Sequence, residues 1–165
     1  MSNLHFIKQV NANSVATLDA TDVFSSKYDV YEVFYKVNGD STSNASQKLR
    51  LIDSGGVVTL SNYASGAVQM KTYNNAFDAL RYSGQSSFIV QSYERDKGVG
   101  NRITIYNPYD NDAHTFINWF SVGSYAGNGI SIKGGGSYRA TTRFTGIQVD
   151  AGVTSTIQCS IYGVK

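Results

Sequence analysis

Residues 30–37 read Val-Tyr-Glu-Val-Phe-Tyr-Lys-Val and show the most regular alternation in this chain. A period of two places successive side chains on opposite faces of an extended strand. Glu32 and Lys36 share one face, where a surface ion pair between them is expected. The stretch therefore predicts a central strand with a buried face. That face carries Tyr31, Val33, Tyr35 and Val37.

The composition favours strands throughout the 165 residues. Val, Ile and Thr number 38 and Leu, Glu and Met only 10, and branched side chains suit a pleated surface better than a helix. The 20 Ser, 16 Gly and 13 Asn supply turns, and 21 aromatic residues supply a core, which excludes disorder. We therefore expect one all-β domain over residues 1–165, a jelly-roll-like antiparallel β-sandwich.

Chain order suggests how the strands pair. Residues 30–37 are expected to pair antiparallel with Gln47–Ile52 across the polar stretch between them. Phe88–Tyr93 and Arg102–Tyr106 read as a hairpin with a charged tip.

Three short stretches are predicted to interrupt the strands. Asn75–Arg81 resembles a single helical turn, because an Asn cap precedes apolar residues three apart. Gly134–Gly136 and Asp150–Gly152 have the composition of turns.

The N-terminal segment, residues 1–13, contains Leu4, Phe6 and Ile7 ahead of a small polar run. Such a segment is ordered only if something holds it. We expect either an edge strand of the domain's own sheet or an arm that reaches a neighbouring subunit.

Charge and cysteine content exclude several classes. Fourteen basic and 12 acidic residues give a net charge of +2 without the clusters that mark nucleic-acid binding. The single cysteine, Cys159, cannot form an internal disulfide. No apolar run has the length of a signal peptide or a membrane span, so we expect a soluble chain that is not secreted by the usual route and has no membrane partner.

The chain contains few residues of the kinds that carry out catalysis. Cys159 with His114 as its base lacks any local sign of activation, and Glu32 with Glu94 is a weak candidate for a glycosidase pair. Asp110, Asp112 and His114 could face a cation, but no second His or Cys completes a zinc site, and a solvated turn is the simpler interpretation. We expect no enzyme activity, no metal and no cofactor.

Aromatic residues offer a better hypothesis. Tyr and Trp rings among Ser, Asn and Gly suit the recognition of sugars and equally suit a wet protein interface. Tyr106, Tyr109 and Trp119 lie in or beside loops and strand ends and are the candidate ligand or interface residues for either role.

Two segments carry a resemblance to a known family. The first is Lys-Tyr-Asp-Val-Tyr-Glu-Val-Phe-Tyr-Lys-Val at 27–37, followed after a polar loop by Leu-Arg-Leu at 49–51. The second is the ending, Phe-Thr-Gly-Ile-Gln-Val at 144–149, a turn, and Ile-Gln-Cys-Ser-Ile-Tyr-Gly-Val-Lys at 157–165. Together they resemble the β-sandwich virion proteins of tailed bacteriophages, notably those of marine and cyanobacterial phages.

The resemblance implies a particle protein assembled in the host cytoplasm and located in the virion. The leading expectation is a capsid decoration or cement subunit that binds the major capsid protein. The alternative is a tail-appendage or fibre domain that recognises a host surface glycan. The apolar side chains on both faces of residues 115–122 predict self-association. The resemblance implies symmetric copies, and it is the resemblance that implies a homotrimer.

Overall fold

The computed structural model describes residues 3–39, 46–74, 77–91, 98–125 and 128–165. These residues form one antiparallel sheet that curls until its two parts face each other, and they contain no helix. The all-β, jelly-roll-like fold predicted from sequence is confirmed. The strands are β1 (Leu4–Ala20), β2 (Val30–Gly39), β3 (Gln47–Asp53), β4 (Gly56–Val57), β5 (Tyr63–Lys71), β6 (Phe77–Gln85), β7 (Phe88–Gln91), β8 (Val99–Tyr106), β9 (Thr115–Tyr125), β10 (Asn128–Tyr138) and β11 (Gly146–Val164).

Across those ranges, no helix long and apolar enough to cross a membrane is found.

The long strand β11 belongs to both parts of the sheet. Its residues 155–164 pair with β2, which begins the larger part in the order β11-β2-β8-β9-β10-β5-β6. Its residues 146–150 pair with β3, which also pairs with β4 and β7 in the smaller part. Strand β1 follows the other edge of β11, from Leu4 opposite Val164 to Ala20 opposite Ile147, so the N-terminal segment is an edge strand of its own chain.

The core fills the space between the two parts. Burial of the apolar core side chains is the main force that holds the two parts of the sheet together. Several aromatic rings meet edge to face there, for example Tyr63 with Phe88 at 4.8 Å between ring centroids. The largest fully buried side chains are Tyr31, Tyr63, Tyr138, Phe88, Phe144, Leu49, Leu51, Ile103, Ile105, Ile132 and Ile147.

The predicted strand at residues 30–37 is confirmed, with its aromatic face buried. The expected ion pair between Glu32 and Lys36 is wrong. Four residues along a strand lie about 13 Å apart, whereas the adjacent strand is about 4.8 Å away. Glu32 therefore pairs with Arg102 of β8, whose Nε lies 2.9 Å from Glu32 Oε2, and accepts a hydrogen bond from Thr104 Oγ1 at 2.8 Å.

Both predicted strand pairings are wrong. Strand β11 lies between β2 and β3, and β7 pairs with β3 while β8 pairs with β2 and β9. Of the predicted hairpin tip, residues 94–101, residues 94–97 lie outside the described residues, and residues 99–101 belong to β8. Strands that are distant in sequence pair with each other here, because each strand pairs where its apolar face reaches the common core.

The predicted helical turn at Asn75–Arg81 is also wrong. From Phe77 onward the chain forms β6, which pairs with β5 and places Phe77 opposite Met70; Asn75 lies outside the described residues. The preference of so short a segment for helix is weak and yields to a continuous ladder of hydrogen bonds.

Gly134–Gly136 is a stretch of strand rather than a turn. It runs through β10 between β9 and β5, with Gly134 opposite Trp119. A Cβ on Gly134 would overlap the Trp119 ring, and a Cβ on Gly136 would lie 2.6 Å from the Ala64 carbonyl oxygen. Glycine is required at these positions because a ring and a neighbouring backbone occupy the space of a side chain.

Asp150–Gly152 likewise lies within a strand, where β11 bends. Gly152 has a φ of 72°, and its N–H donates to Asp150 Oδ1 at 2.7 Å. This hydrogen bond is the turn contact that the composition predicts, but the chain continues in β11 instead of reversing.

We expect Gly134→Ala to lower the free energy of unfolding by about 1–3 kcal/mol, because the new methyl group must displace the buried Trp119 ring. The matched control is Gly135→Ala, whose Cβ would meet the Ile117 carbonyl oxygen at 3.4 Å, an ordinary contact. Urea denaturation measures both variants. Equal midpoints would show that the ring does not determine the choice of glycine.

Candidate functional site

The three aromatic candidates lie in three different places. Trp119 is 2% exposed in the core, so its ring is not accessible to a sugar or a partner, and the surface role expected for it does not fit the structure. Tyr106 lies at the end of β8, and its hydroxyl accepts a hydrogen bond from Asn118 Nδ2 at 3.0 Å. Tyr109 is half-buried in the loop after β8 and lines a groove.

This groove, called here the end groove, has a volume of about 490 Å³, within the range typical of small-molecule sites. It lies where the loop before β2, the loop after β8 and the segment before β11 meet. Most of its lining is polar. The lining residues are Ser25, Ser26, Tyr28, Asp29, Asn107, Tyr109, Asp110, Asn111 and Arg143.

Arg143 holds Tyr109 in position. The guanidinium carbon lies 4.9 Å from the centroid of the Tyr109 ring, a cation–π distance. Its Nε donates to the Tyr109 carbonyl at 3.2 Å, and its Nη2 donates to Asn111 Oδ1 at 3.3 Å. One side chain thus fixes both the ring and the backbone of the loop.

The backbone around the end groove is fixed by buried groups. The Tyr31 hydroxyl accepts from the Ser25 N–H at 2.8 Å and donates to the Ser25 carbonyl at 2.9 Å. Asn107, at a φ of 54°, donates its N–H to the Asp29 carbonyl at 2.8 Å. The two loops that carry the polar groups are therefore joined to each other and to the core.

A second surface covers the solvent side of the larger part of the sheet and is called here the outer face. Its central row crosses five strands in direct register: Phe34, Arg102, Phe120, Lys133 and Val68. Because neighbouring strands are about 4.8 Å apart, aromatic and cationic side chains alternate at close range. The Arg102 guanidinium carbon lies 5.8 Å from the Phe34 ring centroid.

The outer face concentrates the exposed apolar side chains of the described residues. Ten large hydrophobic side chains are exposed among the described residues, and two of them, Leu60 and Tyr73, lie in loops. The other eight share the outer face: Leu4, Phe6, Phe34, Val68, Phe77, Phe116, Phe120 and Val122. A monomer rarely leaves so many large apolar groups together on one surface.

The charges of the outer face are mostly positive. Lys36, Arg81 and Lys133 are exposed there and form no ion pair with the described residues. Arg102 is paired with Glu32, the one carboxylate on this face within the described strands. The surface is therefore a set of aromatic rings among cations.

Two shallow depressions on the outer face are floored by glycine. One, of about 300 Å³, lies over Gly100 beside Phe34 and Lys36. The other, of about 320 Å³, lies over Gly66 and Gly135. Missing side chains at these positions leave hollows that a protruding side chain of a partner can fill.

Two of the residues weighed for catalysis or metal binding, Cys159 and Asp110, have structural surroundings. Cys159 is buried in β11, and burial raises the pKa of its thiol to about 12. Asp110 Oδ1 accepts the Asp112 N–H at 2.7 Å, which is turn chemistry. In the described ranges, no three His, Cys, Asp or Glu side chains cluster closely enough to hold a metal. Glu94 lies outside them.

The buried thiol gives a direct test of the packing around β11. We expect Cys159 in the native protein to resist a thiol reagent at pH 8, because the reactive thiolate is scarce when the pKa is about 12 and the sulfur is covered. The urea-unfolded chain is the control and should react fully. Rapid labelling of the native protein would contradict this burial.

Comparisons with known proteins identify no family for this chain. No family model matches the chain, and no curated protein matches it. The SPRY domain of human HERC1 is similar at a TM-score of 0.33 and 7% identity, over 86% of this chain and 87% of that one. The alginate lyase Aly36B in complex with an alginate trisaccharide is similar at a TM-score of 0.32 and 10% identity, over 95% and 81%. Likenesses this weak carry no argument about function.

Proposed function

We propose that this protein is a tailed-bacteriophage virion structural protein, a capsid decoration or cement subunit that binds the capsid surface through its outer face. The observation that carries the proposal is the concentration of exposed aromatic side chains on that face. The resemblance of residues 27–37, 144–149 and 157–165 to phage virion proteins supports a location in the virion.

The outer face has the anatomy of a protein interface. Aromatic side chains and Arg are enriched at interfaces, and hot spots pair with pockets that exclude water. Phe34 and Phe120 flank Arg102 in the central row, and the depression over Gly100 lies beside them. These groups supply both protruding anchors and a hollow to receive one.

Charge indicates the chemistry of the partner. If two copies met with these faces opposed, Lys36, Arg81 and Lys133 would crowd like charges at the contact, which is costly. A capsid surface with apolar knobs surrounded by carboxylates complements the outer face better. A homotrimer stays a prediction. Within the described ranges β1 and β6 each pair along one edge only, which leaves their other edges for contacts between copies.

Quantitative mass spectrometry of purified particles, from the phage whose genome carries this sequence, tests the location. Many copies per particle would support a decoration subunit. A handful of copies would favour a tail appendage, and absence from the particle would end the proposal.

Phe120→Asp should weaken binding to capsids lacking the protein by at least about tenfold, because it places a charge at the centre of the interface. Leu60→Asp is the matched control, since Leu60 is 63% exposed but lies in the loop between β4 and β5 rather than on a strand of the outer face. Sedimentation of the protein with capsids measures both.

Equal binding by the two variants would contradict docking through the outer face. Binding of single-stranded DNA by the wild-type protein, lost in Phe120→Asp with capsid binding unaffected, would assign the face to nucleic acid instead.

A second candidate function is recognition of a host surface glycan by a tail-appendage or fibre domain. One observation favours it: the end groove combines the Tyr109 ring with hydroxyl, amide and carboxylate groups. Proteins bind sugars with this combination, in which flat rings face the sugar and polar groups meet its hydroxyls.

A further inference from the structure

We propose that the end groove is a binding site for a neutral saccharide, with the Tyr109 ring against the sugar and the Asp29 and Asp110 carboxylates accepting hydrogen bonds from its hydroxyls. The inference rests on the second candidate function and adds the class of sugar and the residues that hold it.

Hydrogen-bonding capacity in the end groove is largely unused. The Asp29 carboxylate and the Ser26 hydroxyl are exposed and make no hydrogen bond or ion pair with the described residues. Asp110 uses one lone pair of Oδ1 for the Asp112 N–H and keeps its other acceptor sites. Carboxylates accept only, so their natural partners are groups that donate, such as sugar hydroxyls.

The aromatic part of the site is held ready for a ligand. Tyr109 is fixed by the guanidinium of Arg143, and the adjacent Phe144 N–H donates to the Pro108 carbonyl at 2.7 Å. A ring held in one orientation loses little conformational entropy when a ligand packs against it. Arg143 is on this account a positioning residue for Tyr109.

The balance of charge selects a neutral ligand. Two carboxylates, Asp29 and Asp110, line the groove with one guanidinium, whose hydrogen bonds are directed to Tyr109 and Asn111. The Lys27 ammonium is not part of the lining and lies 5.3 Å from the Tyr28 ring centroid. A uronate, sialate or phosphate group placed there would meet two like charges. A neutral hexose brings hydroxyls alone and incurs no such repulsion.

Binding of defined oligosaccharides tests the proposal directly. The probes are neutral hexasaccharides of glucose, mannose and galactose, with hexagalacturonate as the acidic counterpart, each titrated into the full chain by calorimetry. We expect at least one neutral hexasaccharide to bind and hexagalacturonate to bind more weakly or not at all. Tighter binding of hexagalacturonate than of every neutral probe, or no binding of any neutral probe, would overturn the inference.

Paired variants locate the site. Tyr109→Ala should weaken neutral-saccharide binding by about tenfold or more, whereas Tyr106→Ala, which removes a tyrosine outside the groove, should leave it unchanged. Tyr109→Phe should retain binding, because the ring carries the contact.

A variant of an exposed carboxylate tests the site without removing a side chain that packs in the fold. Asp29→Asn alters one exposed oxygen and should weaken binding, while Asp112→Asn changes an exposed carboxylate outside the groove and should not. If a neutral saccharide binds equally to all five groove and control variants, carbohydrate recognition stands and the assigned site is wrong. If only hexagalacturonate binds and Tyr109→Ala abolishes it, the site stands and the ligand class is wrong.

Discussion

The architecture depends on one strand that serves two parts of a sheet. Strand β11 pairs with β2 beyond its bend and with β3 before it, so both parts of the sheet share one backbone ladder. The bend is built from Gly152 at a φ of 72° and from Asp150, which accepts the Gly152 N–H and pairs with Arg50 at 3.0 Å. Strand β1 bends with it, since its register shifts on either side of Val15, next to Ser14 at a φ of 55°.

That bend decides which side chains face inward. It brings β3 and β7 over the inner face of the larger part, where Phe88 packs against Tyr63 and closes over Gly136. The covering strands fill the inner side only, and no described residue covers the opposite side of β2, β8 and β9. Phe120 is therefore exposed, because its position in the register of β9 places its aromatic side chain on the outer side of the sheet.

The sequence predicts those features that one strand determines alone. The alternation of residues 30–37 and the two faces of β9 follow from a period of two, and they match the structure. Gly134–Gly136 could not be placed from sequence, because the reason for glycine is the ring of Trp119 on a neighbouring strand. Tyr109 was a candidate from its position in a loop, but Arg143, 34 residues further along, becomes its partner only in the folded chain.

The two candidate surfaces use different residues, and the sheet keeps them apart. The central row of the outer face passes through Arg102, whereas the end groove begins beyond Tyr106, four residues along the same strand and about 13 Å away. None of the residues that line the groove belongs to the central row. The proposed docking through Phe34 and Phe120 and the proposed binding of a saccharide at Tyr109 would therefore use different side chains.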